Sequence, residues 1–186
     1  MSKPRIISGT AKGLILQDVP GDITRPITDR VKESLFNIIG ADIEGTAFLD
    51  LFGGTGSVGI EALSRGAKLT RFIDLNRTAV NVIKANLQRS KLADKAEVVQ
   101  SDAFEYLKRT PDRQFEYVYI APPQYKEMWS KALESLDQAM GWLTPDAWVI
   151  VQIAPFEYKT IATERLKEFD QRKYGSTLLV FYSLED

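Results

Sequence analysis

The run Phe48-Leu49-Asp50-Leu51-Phe52-Gly53-Gly54-Thr55-Gly56-Ser57-Val58-Gly59 constrains the fold more than any other stretch, because an apolar strand ending in an acid passes directly into a glycine-rich turn. Glycines there let backbone approach a ligand closely and open a helix behind the turn. Such a strand-turn-helix belongs to an open α/β sheet with its ligand at the carboxyl end of the strand. Gly54, Gly56 and Gly59 also match the dinucleotide fingerprint G-x-G-x-x-G literally, so a nicotinamide cofactor has to be weighed first. Asp50 speaks against it. A pyrophosphate lying over the turn would be repelled by a carboxylate at the strand tip, whereas S-adenosylmethionine (SAM) brings an ammonium group there. The same glycines also fit a tight turn with no ligand at all.

Along the rest of the chain, strand-like and helix-like runs alternate. Strands are expected near 46–51, 69–74, 95–100, 115–120 and 147–152, and helices near 57–65, 77–90, 102–109, 126–140 and 160–167. That rhythm specifies a parallel sheet covered on both faces. Leu166 to Lys173 and Ser176 to Tyr182 are separated only by Tyr174-Gly175, too short for a crossover helix, so they form an antiparallel pair. Ahead of the sheet, Arg5-Ile6-Ile7-Ser8-Gly9 and Leu14-Ile15-Leu16-Gln17 suggest a small hairpin, and Val31, Leu35, Ile38 and Ile39 mark a helix face capped by Thr28 or Asp29 and ended by Gly40. The fold class expected is a Rossmann-like, mostly parallel α/β sheet with an antiparallel C-terminal hairpin and a small N-terminal β-hairpin. With 186 residues, residues 1–186 read as one domain, a hairpin extension over 1–24 followed by a core over 25–186.

Histidine and cysteine are both absent, which removes thiolate nucleophiles, disulfides, zinc fingers, Ser-His-Asp triads and histidine bases together. Any chemistry must use a cofactor, carboxylates or backbone groups, and no metal is expected. No apolar run reaches membrane-span length and the start lacks a signal-peptide core, so a soluble, cytoplasmic protein is expected. The formal net charge of −1 does not advertise a nucleic-acid partner. The region up to Lys32 is nevertheless rich in cations, and Lys3, Arg5 and Lys12 are the candidates for contacting phosphates. An ordinary solvated hairpin face accounts for them equally.

Three acids fall at carboxyl ends of expected strands: Asp50, Asp74 and Asp102. Asp74 lies about 20 residues past the glycine turn, the spacing of a carboxylate that accepts from ribose hydroxyls. Asp102 suits the adenine amine, with backbone at Ala103 meeting a ring nitrogen. The amides of Gly56 and Ser57 open a helix and suit the donor's carboxylate. Capping is the competing role. Asp102 followed by Glu105 is a capping-box pattern, and Asp74 stands where it would cap the next helix.

The fourth strand ends in Tyr119-Ile120-Ala121-Pro122-Pro123-Gln124-Tyr125. Two prolines fix the backbone and remove two N–H donors, leaving carbonyls that would hold a substrate amine. A rigid strand-ending turn is the structural alternative.

Ile6-Ile7-Ser8-Gly9, the segment Arg25-Pro26-Ile27-Thr28-Asp29-Arg30-Val31-Lys32-Glu33-Ser34-Leu35-Phe36-Asn37, the run from Asp50 to Ala67 and the closing Gly175-Ser176-Thr177-Leu178-Leu179-Val180-Phe181-Tyr182 resemble the RsmD-type methyltransferases, which modify guanine N2 in bacterial 16S ribosomal RNA. The resemblance covers nearly the whole chain. It implies a class I methyltransferase fold and a SAM site formed by Thr28, Arg30, Asp50, Phe52, Gly53, Gly54, Gly56, Asp74, Leu75, Asp102 and Ala103. It also implies a catalytic turn of Pro122, Pro123, Gln124 and Tyr125. The partner it implies is small-subunit ribosomal RNA or an assembling small subunit, in a bacterial cytoplasm or a plastid stroma. One departure stands out: the family's motif is Asp or Asn, Pro, Pro, then Tyr or Phe, and here Ala121 replaces the acid and Gln124 the aromatic, with Tyr125 one place later. The usual oxygen accepts a hydrogen bond from the exocyclic amine and aims its lone pair at the methyl. Its loss is worth about 1.5–3 kcal/mol, or roughly 10- to 150-fold in rate, with the Pro122 carbonyl, Gln124 and a stacking Tyr125 left to compensate. The competing functions are a catalytically silent SAM- or RNA-binding protein, and a methyltransferase acting on a protein or small-molecule amine.

Overall fold

The computed structural model describes residues 3–21, 26–124 and 127–185. Seven strands, β1 (Ala47–Asp50), β2 (Leu69–Asp74), β3 (Ala96–Gln100), β4 (Phe115–Ile120), β5 (Leu143–Ile153), β6 (Leu166–Tyr174) and β7 (Thr177–Leu184), form one sheet in the order β3-β2-β1-β4-β5-β7-β6. The first five are parallel, and β7 runs antiparallel to both β5 and β6. Order reverses between β1 and β4, where open α/β sheets part their loops and leave a crevice.

Both faces of the central strands are buried, which is why they read as near-continuous apolar runs. Leu49, Val118, Ile120, Val149 and Val151 pack with Tyr106 and Leu107 of α4 (Ala103–Leu107) and Trp129 and Leu133 of α5 (Met128–Gln138). On the opposite face Phe48, Tyr117, Tyr119 and Ile150 meet α1 (Asp29–Ile39), α2 (Ser57–Ser64) and α3 (Arg77–Ser90). Local chemistry sets the helix ends. Thr28 Oγ1 accepts from Val31 N ahead of α1, Gly40 closes it at φ 64°, and Asn76 Oδ1 accepts from Thr78 N and Ala79 N ahead of α3. At Gly59 a β-carbon would stand 2.3 Å from Phe72 Cε1, so only glycine lets α2 lie this close to β2.

Two expectations change. No helix forms over 160–167: the N–H groups of Glu164, Arg165 and Leu166 all donate to the Asp137 carboxylate of α5, and Leu166 already begins β6. That carboxylate takes the amides a helix would need. The N-terminal hairpin shrinks to one bridging pair, Arg5 with Ile15, supported by Ile6 N to Leu14 O, Gly13 N to Ile6 O and Leu16 N to Pro4 O.

What secures this N-terminal segment is α2. The Glu61 carboxylate accepts from Ile7 N at 2.8 Å and Ser8 N at 3.1 Å, and Ser64 Oγ accepts from Ala11 N at 2.9 Å. A β-carbon on Gly9 would lie 1.8 Å from Ser64 O. Asn86 of α3 completes the attachment: its Oδ1 accepts from Gln17 N, and its Nδ2 donates to Gln17 O and to Thr55 O in the glycine turn.

Candidate active site

A cleft of about 420 Å³ opens at the carboxyl ends of β1, β2, β3 and β4, within the size range of small-molecule sites. The ends of these strands bring together Asp50, Phe52, Gly53, Gly54, Asp74, Leu75, Asp102, Ala103 and Pro123, all of them on its wall.

The glycine turn is held by β2. Gly53 N donates to Ile73 O at 2.8 Å and Gly54 N to Asp74 Oδ2 at 2.9 Å, while Asp74 Oδ1 accepts from Asn76 N at 2.8 Å. Asp74 therefore fastens the turn, and capping of α3 falls to Asn76. Gly54 and Gly56 sit at φ 58° and 82°, conformations that favour glycine. The two amides that the sequence offers to a donor's carboxylate are engaged within the turn: Gly56 N donates to Gly53 O, and Ser57 N to Thr55 Oγ1 at 3.2 Å. Gly56 shapes the turn without lining the cleft, and Ser57 does line it.

Asp50 is buried, and its Oδ1 has no hydrogen-bond partner among the described residues. Burial, and next the Asp74 carboxylate, hold its carboxyl well above the usual range, with backbone N–H groups at Gly59 and Phe52 acting the other way. An orphaned acidic oxygen on a cleft wall is the feature a cationic ligand group would satisfy. Asp102 caps α4, its Oδ1 accepting from Phe104 N at 2.8 Å and Glu105 N at 3.0 Å, and it lines the cleft as well. Phe52 packs edge-on to Phe104, and Leu75 is 66% exposed beside Asp74.

Other sequence candidates stand apart from the cleft. Thr28 and Arg30 are exposed, and this segment reaches the wall through Pro26 and Ile27 instead. Pro122 is buried and Gln124 exposed, whereas Ala121 and Pro123 line the cleft. Tyr125, like Arg25, lies outside the described residues. Lys3 and Lys12 are exposed; Arg5 is exposed too, with its Nε on Asp29 Oδ2 at 3.0 Å.

Sequence reasoning passed over a buried polar system behind the cleft. Lys32 Nζ donates to Arg5 O and to Ser57 Oγ, and lies 3.3 Å from Glu61 Oε1, whose partner oxygen also receives Arg65 Nε. Tyr119, on the cleft wall, donates to Gln152. The available signal was a polar residue at an apolar position, as at Glu61 between Ile60 and Ala62 or Gln152 within Val149-Ile150-Val151-Gln152-Ile153. Among the described residues, no group of three or more acidic, His or Cys side chains is placed to hold a metal, and no helix is long and apolar enough to cross a membrane.

A mostly parallel seven-stranded sheet with β7 reversed between β5 and β6, a glycine turn after β1 and acids at the first three strand ends define a class I methyltransferase. Comparison with known proteins narrows the class. The model of the family described as conserved hypothetical protein 95 matches residues 4–183. Bacillus subtilis (strain 168) YlbH, which carries the name of an rRNA methyltransferase, is 41% identical, with 80% of this chain and 81% of that protein covered. Ribosomal RNA small subunit methyltransferase D of Haemophilus influenzae (strain Rd) is 37% identical, covering 80% of this chain and 77% of that protein. A solved Escherichia coli structure described as the methyltransferase yhhF superposes with a TM-score of 0.87 at 29% identity, covering 99% of each chain. The chain belongs to that family, the RsmD family.

Proposed function

We propose that this chain transfers a methyl group from SAM to the exocyclic N2 amine of a guanine in small-subunit ribosomal RNA, with the core and its N-terminal segment acting as one catalytic domain. The observation that carries the reading is the cleft itself, where Asp50, Asp74 and Asp102 converge on the Ala121-Pro122-Pro123 turn. The relatives, named as ribosomal RNA small subunit methyltransferases, support an RNA substrate.

The cleft suits SAM by its chemistry. Asp50 offers an ammonium group an acidic oxygen that has no partner among the described residues, and Asp74, already accepting two amides, keeps acceptor capacity for ribose hydroxyls. Both cap bonds of Asp102 use Oδ1, leaving Oδ2 for the adenine amine. Leu75 supplies apolar surface beside the ribose. When bound, SAM supplies an electrophilic methyl on a sulfonium.

The protein has little covalent work to do. Holding donor and acceptor in line provides most of the acceleration, and the surplus proton of the amine leaves to water. Pro122 and Pro123 lack N–H groups, so the backbone of these two residues offers only acceptors. A guanine within folded RNA must be exposed or flipped to reach the cleft. An assembling small subunit is the substrate form in which such a base is still accessible. The test is incubation with labelled SAM and undermethylated small subunits, then mapping of the label: a single N2-methylguanine supports the reading, and unlabelled RNA overturns it.

A further inference from the structure

The outer face of α3 carries cations and no acid. From Leu75 to Ala93 the chain contains Arg77, Lys84, Arg89 and Lys91 without one Asp or Glu, although the formal net charge of the whole chain is −1. Other helices mix their charges: Asp29 and Glu33 stand in α1, Glu61 in α2, Glu105 in α4, and Glu134 and Asp137 in α5. Arg77, Asn81, Lys84, Gln88 and Lys91 follow one another at alternating steps of four and three residues, which sets them along one side of the helix, and all are exposed. The stripe runs about 21 Å at the rise of an α-helix. It begins beside the cleft, since Leu75 and Asn76 lie on the wall and Arg77 is the next residue.

Helix stability does not ask for this pattern. Positions three and four residues from Lys84 and Arg89 hold no acid, so α3 forgoes the exposed pairs that contribute about 0.2–0.5 kcal/mol each. Arg77 stands in the first turn, where the helix dipole favours an acid. Elsewhere exposed cations meet partners: Lys108 pairs with Glu105, Lys159 with Glu127 and Arg172 with Asp170. None of the four cations from Arg77 to Lys91 has an ion pair among the described residues. Cations interleaved with the side-chain amides of Asn81 and Gln88 form a row of donors without acidic acceptors, which is the complement of a phosphate backbone.

Resting on the methyl-transfer reading above, we infer that the outer face of α3 is a docking track for the phosphate backbone of the ribosomal RNA, leading to the cleft at its Arg77 end. Contacts of this kind fix position and orientation without reading sequence. Arg77 sets the register next to the cleft, and Lys84, Arg89 and Lys91 add affinity that salt weakens.

The experiment measures binding of undermethylated small subunits over a range of salt concentrations, alongside methylation, SAM affinity by calorimetry and thermal unfolding. Wild type is compared with Lys84→Gln/Arg89→Gln/Lys91→Asn, asparagine being chosen because position 91 has φ 61°. A control, Lys108→Gln/Lys131→Gln/Lys173→Gln, removes as many cations from α4 and α5 on the other face of the sheet and from its β6 edge. The expected result for the α3 variant is about tenfold weaker subunit binding near ~0.1 M salt, with the slope of log K against log salt lower by about 2. The loss should appear in KM rather than kcat, with SAM affinity unchanged and the control on the wild-type line. Superimposed salt lines for the α3 variant and wild type overturn the inference, and so does an equal loss in the control, which would reduce the effect to net charge. Vesicles of phosphatidylglycerol that bind wild type but not the α3 variant, with subunit binding equal in both, would assign the face to a membrane surface and overturn it too. A wild type that neither binds nor methylates the subunits overturns the methyl-transfer reading and the track with it; equal methylation by wild type and α3 variant at limiting subunits strikes the track alone.

Discussion

Lys32 Nζ lies 2.9 Å from Ser57 Oγ, a bond that ties α1 to the first turn of α2 where Ser57 faces the cleft. The other donors of this ammonium meet Arg5 O and Glu61, so one buried side chain joins the N-terminal segment, α1 and the helix behind the glycine turn.

Removing it should therefore be costly. Lys32→Met leaves Glu61 buried, with Arg65 as its remaining cation, and is expected to lose about 3 kcal/mol in urea unfolding, the low end for breaking a buried pair. Burial, opposed next by Glu61, lowers the Lys32 pKa in the fold. The unfolded chain then binds more protons between that lowered value and 10.5, so stability gained from Lys32 rises with pH across this window. Lys32→Met should flatten that rise.

Asp50 titrates with the opposite sign. Its pKa is raised in the fold, so its contribution to stability is complete below the unfolded value of 3.8 and is lost as pH rises through the folded one. Asp50→Asn should stabilise the ligand-free protein above that point. In wild type an ammonium at Asp50 favours the ionised form, so SAM binding should release protons, read as a buffer-dependent heat in calorimetry, and tighten as pH rises toward the folded value. Asp50→Asn should bind SAM more weakly and abolish the proton release.

Asp74→Ala removes the acceptor for both Gly54 N and Asn76 N and should weaken SAM binding more than tenfold with the secondary structure intact by circular dichroism. Asp102→Ala should cost about 1 kcal/mol of stability from its cap alone. Unchanged SAM affinity in both variants would exclude these two carboxylates from the site.

Replacing Lys3, Arg5 and Lys12 together should lower RNA affinity and flatten its salt dependence while leaving SAM binding unchanged. Because Arg5 is already paired with Asp29, most of the change should come from Lys3 and Lys12. Superimposed salt-titration lines for variant and wild type would assign this region to ordinary surface.

Elements set by nearby residues were legible in the sequence. The helix over 77–90 has its cap and apolar stripe in one stretch, and β1 with its glycine turn carries both its burial and its conformation in adjacent residues. Features set by distant partners were not. The segment over 160–167 has helical spacing, yet its amides answer to Asp137, far back in the chain. Asp74 and Asp102 each showed two local roles, and only the cleft brings cap and wall together at Asp102. Thr28 spends its hydroxyl on Val31, so the segment meets the cleft through neighbours chosen by helix geometry rather than by polarity. Asn86 and Gln152 were hidden because their partners come from other strands and loops.

The place of β7 between β5 and β6 also dictates the order of events during synthesis. Among the described residues, β6 has no ladder except with β7, and the outer edge of β5 is covered by β7 alone. A nascent chain that has emerged only as far as Tyr174 therefore carries an open sheet edge and an unpaired strand, a template for foreign strands. Translation of Thr177–Leu184 then seals both at once, so a stall or a proteolytic cut at Tyr174-Gly175 forfeits two strands rather than one.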